Sequence, residues 1–158
     1  MALLALPTGY ADKIAFGLPK QGAPPPAHVL DARVGSLRVL GYDLTSSVLH
    51  RGESTDLVTH FELADHLEPG WKLFFHLEGP NGFRNLDHVP VEGAYPLERW
   101  RPGQRIRDRL SINFPASMPP GTYNVYVGLW KGTARAPVTP KSASDGRDRL
   151  RLATISVR

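Results

Sequence analysis

Two segments of the chain, residues 105–114 and 122–130, alternate between apolar and polar side chains over most of their length. A period of two places successive side chains on opposite faces of an extended strand, so each segment predicts a strand with one buried face. Turn-forming sequences precede both, Pro102-Gly103 before the first and Pro119-Pro120-Gly121 before the second. A chain built on such segments folds into sheets.

Other parts of the chain repeat this pattern. Segments 56–63 and 71–78 also alternate, and the Asn81-Gly82 pair after the second is typical of a hairpin. The 15 glycines and 15 prolines fall between apolar runs, which is the turn spacing of roughly 8–12 residues expected of all-β folds. No segment predicts a convincing amphipathic helix. We therefore predict an all-β fold, an antiparallel sandwich of immunoglobulin-like or jelly-roll type with seven or eight strands.

The first part of the chain differs from the rest. Residues 1–31 predict an extended arm or linker, because glycines and the run Pro24-Pro25-Pro26 interrupt every helix or strand pattern. Residues 32–158 predict one sandwich domain. The apolar start, residues 1–6, is too short for a complete signal peptide or a membrane span. The segment 13–18 is apolar enough to pack on its own domain or on a neighbouring copy.

Cysteine content and charge limit the possible chemistry. The chain has no cysteine, which excludes disulfides, thiolate metal ligands and a cysteine nucleophile. Residues 99–158 carry 12 Lys or Arg against 3 Asp or Glu, whereas residues 1–98 carry 7 against 12. This asymmetry suits an anionic partner such as lipid head groups or acidic polysaccharide, although arginines on solvent-facing strands give the same pattern. Nucleic acid is not an expected partner, since no known binding module is present.

Short motifs follow one another in an order that resembles a known family. They are Gly41-Tyr42-Asp43-Leu44, Phe74-Phe75-His76-Leu77, Asp87-His88 with Pro90, Gly93-Ala94-Tyr95-Pro96, Trp100-Arg101-Pro102-Gly103-Gln104, Ile106-Arg107-Asp108, Pro120-Gly121-Thr122-Tyr123 and Val127-Gly128-Leu129-Trp130. In this order they resemble the soluble β-sandwich domain appended to bacterial polytopic membrane glycosyltransferases of the dolichyl-phosphate-mannose mannosyltransferase type, which also occurs in other bacterial envelope proteins. The resemblance covers about residues 34–157.

The resemblance implies a non-catalytic domain without a cofactor, located in the periplasm or at the exterior of the cell envelope. A membrane tether upstream of Met1 is compatible with that location. The family has no established active-site motif to transfer, and this sequence departs from the full enzymes in lacking their transmembrane helices and acidic loop residues. We therefore expect an accessory or recognition module that binds a glycan or an envelope protein. Its ligand and its oligomeric state stay open.

Five outward residues of the two alternating strands are candidate binding residues. If segments 105–114 and 122–130 pair, the side chains of Arg105, Arg107 and Arg109 lie beside those of Tyr126 and Trp130. Aromatic rings stack on sugar rings and arginines attract anionic groups, so such a face would suit an anionic glycan or a protein partner. If a second sheet or the arm covers this face, the same residues have a structural role.

A second group of candidates consists of His76, Asp87, His88 and Asp108. The expected hairpin would bring His76 near Asp87 and His88, and Asp108 lies on the apolar face of its strand. We favour a hydrogen-bonded structural network, because a buried carboxylate must find partners. A His/Asp cluster can also bind metal, which leaves a metal-assisted or carbohydrate hydrolase as the alternative from the enzyme class. A third alternative is a structural assembly protein that uses the N-terminal arm.

Overall fold

The computed structural model describes residues 9–158, which form two packed β-sheets and one helix. The elements are α1 (Tyr10–Gly17), β1 (His28–Val34), β2 (Leu37–Leu44), β3 (Val48–Leu49), β4 (Ser54–Leu63), β5 (Lys72–Gly79), β6 (Gly82–Asn85), β7 (Arg105–Asn113), β8 (Gly121–Lys131), β9 (Ala134–Arg135), β10 (Val138–Thr139) and β11 (Leu150–Val157). Single 3₁₀ turns lie at Leu97–Arg99 and Lys141–Ala143. The apolar start, residues 1–6, lies outside the described residues. Within residues 9–158, no helix has the length and apolar character needed to cross a bilayer.

The strands form two sheets that pack face to face. Sheet A has the strand order β10-β1-β2-β4-β7, and sheet B has the order β3-β11-β8-β5-β6, with β9 paired to the end of β8. Neighbouring strands are antiparallel except β3 and β11, which are parallel. The predicted all-β sandwich is confirmed.

The core lies between the two sheets, where the alternating pattern placed it. Ile106 and Ile112 of β7 and Val125 and Val127 of β8 have no solvent exposure. The rings of Phe61 from sheet A and Phe75 from sheet B meet edge to face, with centroids 6.4 Å apart. Burial of each such side chain contributes roughly 1.5–3 kcal/mol. The inward residues of the strands therefore supply most of the stabilisation.

Segments 105–114 and 122–130 do not pair, so the condition for a shared binding face is not met. Strand β7 pairs with β4, from Ser54 opposite Asn113 to Glu62 opposite Arg105, and lies at the edge of sheet A. Strand β8 lies within sheet B, between β11 and β5. Alternation determines which side chains are buried, but it carries no information about which strand is the neighbour.

The expectation that the chain has no helix is wrong. Helix α1 follows Gly9, whose φ of 74° lies in the left-handed region, and its ring at Phe16 packs on β7. A helix of eight residues is too short to be stable by itself, so this tertiary contact stabilises it. Strand β1 begins at His28, within the range 1–31 that was predicted as an extended arm. The division into arm and domain stays a prediction.

Candidate functional site

The five candidate binding residues lie on opposite outer faces of the sandwich. Arg105, Arg107 and Arg109 point outward from β7 in sheet A, and Tyr126 and Trp130 point outward from β8 in sheet B. Packed sheets lie about 10 Å apart, so a small ligand cannot touch both sets. The arginine-and-aromatic face that depended on the pairing of these two strands is not formed.

Two of the arginines on sheet A hold the N-terminal helix. The guanidinium carbons of Arg107 and Arg109 lie 4.4 Å and 4.0 Å from the centre of the Phe16 ring. The Nε of Arg107 also donates a hydrogen bond to the Phe16 carbonyl oxygen at 2.8 Å. Arg105 remains exposed and contacts Glu62 at 3.5 Å. Arg107 and Arg109 thus have the structural role that coverage by the arm would give them.

A cleft of about 340 Å³ opens on the outer face of sheet B; we name it the sheet B cleft. Its lining consists of Phe74, His76, Asp87, Trp130 and Gly132–Arg135. The Phe74 ring lies across Gly128 on the neighbouring strand, since a Cβ atom at Gly128 would come within 2.2 Å of the Phe74 Cζ. The missing side chain at Gly128 therefore leaves room for the Phe74 ring, which is only 2% exposed and lies at the floor of the cleft.

Polar and charged groups surround this aromatic floor. The Arg135 guanidinium lies 5.0 Å from the Phe74 ring, and the Lys72 ammonium lies 5.2 Å from the Trp130 ring. Asp87 is exposed, and its Oδ1 accepts a hydrogen bond from the Phe75 backbone N–H at 2.8 Å. The cleft thus combines apolar ring surfaces with donors and an acceptor of hydrogen bonds.

His76 adds a titratable group to the cleft. Its ring lies 4.5 Å from the Phe74 ring and meets the Phe83 ring edge to face at 4.6 Å. Burial, together with the positive charge of Arg149, holds the pKa of His76 below its usual value. The imidazole is therefore mostly neutral at pH near 7. Its Nδ1 lies 3.2 Å from Nη1 of Arg149, which can only donate, so Nε2 carries the proton and can donate to a ligand.

Tyr126 is covered rather than available for stacking. The Arg149 guanidinium lies over its ring at 4.2 Å. Arg149 is itself buried, with Nη1 2.8 Å from Oε1 of Glu78 and Nε 2.7 Å from Oδ2 of Asp145. The hydrogen bond from Arg149 holds the pKa of Glu78 below its ordinary value. Through the contact of Arg149 with His76, this charged cluster supports one side of the neighbouring cleft.

The second group of candidates is divided between two locations. His88 and Asp108 form a hydrogen bond of 2.6 Å between Nε2 and Oδ2, and Asp108 is completely buried. The Nδ1 of His88 lies 2.9 Å from the Leu86 carbonyl oxygen, which can only accept, so Nδ1 carries a proton. Burial opposes the charged imidazolium, but the hydrogen bond and charge of Asp108 outweigh it and raise the pKa of His88. The other oxygen of Asp108 accepts the Val91 N–H at 2.8 Å.

His76 and Asp87 lie apart from this pair, on the outside of sheet B. His88 contacts the ring of Phe75, the inward neighbour of His76, at 5.0 Å. Across the described part of the chain, no three His, Cys, Asp or Glu side chains converge closely enough to hold a metal ion. The four residues therefore do not form the single cluster on which the hydrolase alternative depended.

Two residues of the cleft, Phe74 and Arg135, were missed by the sequence interpretation. Phe74 alternates outward on β5 between Lys72 and His76, and Arg135 lies in the two-residue strand β9. The sequence did contain a signal for the cleft. Phe74 alternates outward in one strand, and Trp130 and Gly128 alternate outward in another. Because β5 and β8 were not paired in advance, that signal could not be used.

The chain is thus a β-sandwich with clefts on the outer faces of its two sheets. No protein-family model and no curated protein matches the chain. Among solved structures, it is similar to the crystal structure of the C-terminal domain of wzt, with a TM-score of 0.50 at 14% identity. The match covers 84% of this chain and 81% of that one. At this identity the likeness concerns the fold alone.

Proposed function

We propose that this chain is a non-catalytic recognition module of the bacterial cell envelope that binds a glycan in the sheet B cleft. The observation that carries the proposal is the half-buried Trp130 ring beside the polar groups of His76, Asp87 and Arg135, with the buried Phe74 ring beneath them. Sugars present apolar C–H faces that pack on aromatic rings and hydroxyls that need hydrogen-bond partners. The cleft offers both, and its volume of about 340 Å³ is at the small end of the usual range for small-molecule sites, roughly 300–1,000 Å³.

The cellular location is proposed on a separate ground. The ordered motifs between residues 34 and 157 resemble a domain of bacterial envelope proteins, which supports a periplasmic or exterior position with or without a membrane tether. The fold likeness to the C-terminal domain of wzt supports the sandwich on which the cleft is built. A protein partner that presents a sugar-like or aromatic group would use the same cleft.

A glycan array with the purified chain tests the proposal, followed by calorimetry on the strongest hits. We expect Trp130→Leu to abolish binding, because it removes one wall of the cleft. Trp71→Leu is the matched control, since Trp71 is also a half-buried tryptophan near sheet B but does not line the cleft. Circular dichroism checks that both variants fold.

The same samples test whether the module is catalytic. Incubation of the bound glycan with the protein, followed by mass spectrometry, is expected to leave the glycan intact. Release of a cleaved product would contradict the non-catalytic assignment. Equal loss of binding in Trp130→Leu and Trp71→Leu, or no binding to any glycan, would contradict the assignment of the cleft.

A further inference from the structure

Residues 19–24 cross the outer face of sheet A and enclose a cleft of about 530 Å³ against it; we name this segment the strap and the space the strap cleft. Both ends of the strap are held by the domain. On one side the Phe16 ring lies within 4.4 Å of the guanidinium carbons of two arginines of β7. On the other side Pro26 is buried close to Gly41, and the Ala27 N–H donates to Asp43 at 2.6 Å. The strap cleft is thus a defined space and not a gap below a free tail.

The charged residues that line the strap cleft are all basic. Lys20 comes from the strap, and Arg105 and Arg107 come from β7. No aspartate or glutamate belongs to its lining. Three cations around a partly enclosed space create a positive potential that is stronger than the same charges would give in open water.

Arg107 is held in place before any ligand arrives. Its Nε donates to the Phe16 carbonyl oxygen at 2.8 Å, and its Cζ lies 4.4 Å from the centre of the Phe16 ring. Its two terminal nitrogens have no hydrogen-bond partner among residues 9–158. A guanidinium with free terminal N–H groups binds the two oxygens of a carboxylate or phosphate in a fork geometry.

The charge of Arg105 is only partly balanced. Glu62 lies 2.9 Å from Arg38 and 3.5 Å from Arg105, so one carboxylate serves two guanidiniums. The longer contact with Arg105 is an exposed one, and such pairs contribute little. Arg105 can therefore turn towards an anion in the cleft without losing a strong partner.

A buried histidine supplies a further polar group. His60 points outward from β4, yet it is only 8% exposed because the strap covers it. Its Nε2 bonds to Asp43 at 2.6 Å, and its Nδ1 has no hydrogen-bond partner in the described part of the chain. Because His60 lines the strap cleft, its Nδ1 is available to a polar atom of a ligand there.

From these contacts we propose that the strap cleft binds a small ligand of about monosaccharide size through its anionic group, a carboxylate or a phosphate monoester. Arg105, Arg107 and Lys20 bind the anion, His60 bonds to a neighbouring polar atom, and Leu40 contacts the apolar part of the ligand. The site lies on the opposite face of the sandwich from the sheet B cleft, so it is independent of the glycan site proposed above.

An NMR titration of the ¹⁵N-labelled chain tests this proposal. The probes are D-glucuronate, glucose 6-phosphate and the neutral methyl glucoside. We expect one or both anions to cause saturable shifts of the amides of residues 20–23 and 105–107 below about 10 mM, and the neutral sugar to cause none there. Saturable shifts with glucuronate alone would identify a carboxylate site, and saturable shifts with glucose 6-phosphate alone would identify a phosphate site. Saturation by neither anion, or equal shifts with the neutral sugar, would overturn the proposal.

Variants separate this site from general charge effects. The double variant Lys20→Gln/Arg105→Gln removes two exposed cations. We expect it to raise the dissociation constant of the anion at least about tenfold. The double variant Lys141→Gln/Arg151→Gln removes the same charge from exposed positions elsewhere. We expect it to change the dissociation constant of the anion little. Equal weakening in both would overturn the proposal. Trp130→Leu leaves the strap cleft intact, so loss of glycan binding in that variant is distinguishable from failure here.

Discussion

The Nε2 atom of His88 lies 2.6 Å from the Oδ2 atom of Asp108, and Asp108 has no exposure to solvent. This contact joins β7 of sheet A to the connection that arrives from sheet B. The same carboxylate holds the backbone N–H of Val91, a β-branched residue with a φ of 59°. A β-branched residue in this region is strained and persists only where its surroundings hold it. The pair therefore stabilises the crossing between the two sheets.

Replacing Asp108 by asparagine tests this role. The Asp108→Asn variant keeps the shape and one acceptor but removes the charge that pairs with His88. We expect the free energy of unfolding to fall by roughly 1–3 kcal/mol, measured by urea denaturation. Asp56→Asn is the control, because Asp56 is exposed on the neighbouring strand of the same sheet. An equal, small effect of both variants would contradict the structural role.

The same pair predicts a pH dependence. The pKa of His88 is raised in the folded protein, so the stabilisation it contributes is present below its unfolded pKa of about 6.5 and is lost as the pH rises through the folded pKa. The stability difference between the native chain and Asp108→Asn should therefore shrink between about pH 5.5 and pH 8.5. His76 titrates in the opposite sense, because its pKa is lowered, and it is present in both proteins. A difference that grows with pH would contradict the prediction.

The sequence indicated this pair only in part. Asp108 lies in an apolar series, which shows that it is buried and needs partners. His88 was among the candidate partners, but so was His76. Both were chosen because histidine can bond to a carboxylate, and not because of their position in the fold. What separated them was the side of the sheet that each faces. That depends on the course of the chain after β6, where the sequence has no periodic pattern to define it.

A methyl group at Gly128 is predicted to close the sheet B cleft. A Cβ atom there would lie 2.2 Å from the Phe74 Cζ, so the buried ring must move towards Arg135 and Trp130. We expect Gly128→Ala to lower the free energy of unfolding by about 1–3 kcal/mol, as overpacking does, and to abolish glycan binding. Gly52→Ala tests whether any added methyl group has this effect, since nothing lies near that position and it does not line the cleft, although its φ of 88° is unfavourable for alanine. Retention of full glycan affinity by Gly128→Ala would contradict the floor assigned to Phe74.

Alternation in the sequence predicted which side chains of each strand face inward and which face outward. It did not predict which strands are neighbours in a sheet. The outward positions of Arg107, Tyr126 and Trp130 agree with the pattern, yet β7 and β8 lie in different sheets. Pairing depends on long-range complementarity of the buried faces, which single-sequence periodicity does not contain. Helix α1 was missed for a related reason, since contacts with β7 rather than its own sequence stabilise it.

Removing the Phe16 ring is predicted to release α1 and the strap. The ring lies 4.4 Å and 4.0 Å from the guanidiniums of Arg107 and Arg109, and each such contact contributes about 0.5–1 kcal/mol. We expect Phe16→Ala to accelerate tryptic cleavage after Lys13 and Lys20 several-fold while the sandwich stays folded, measured by limited proteolysis and mass spectrometry. Phe83→Ala serves as the comparison, because it removes an exposed ring from the other sheet. Unchanged cleavage rates in Phe16→Ala would contradict this anchor.

Arg149 is predicted to be the most sensitive charged position of sheet B. Its guanidinium is buried over Tyr126 and bonds to Glu78 at 2.8 Å and Asp145 at 2.7 Å. Arg149→Gln leaves two carboxylates without their cation, so we expect a loss of about 3 kcal/mol in the free energy of unfolding. Arg151→Gln, two positions away and exposed, is the matched control and should change it little.

The acid dependence of stability tests the same cluster. Hydrogen bonding from Arg149 lowers the pKa of Glu78, and backbone and Arg149 hydrogen bonds overcome the effect of burial to lower the pKa of Asp145. A carboxyl group whose pKa is lowered by folding stabilises the fold at pH values above its pKa in the unfolded chain. This stabilisation is lost as the pH falls through its pKa in the folded protein. The stability difference between the native chain and Arg149→Gln should therefore be full near neutral pH and should shrink below about pH 4. Urea denaturation at a series of acidic pH values measures it, and a constant difference would show that Arg149 stabilises sheet B through packing on Tyr126 and not through its carboxylates.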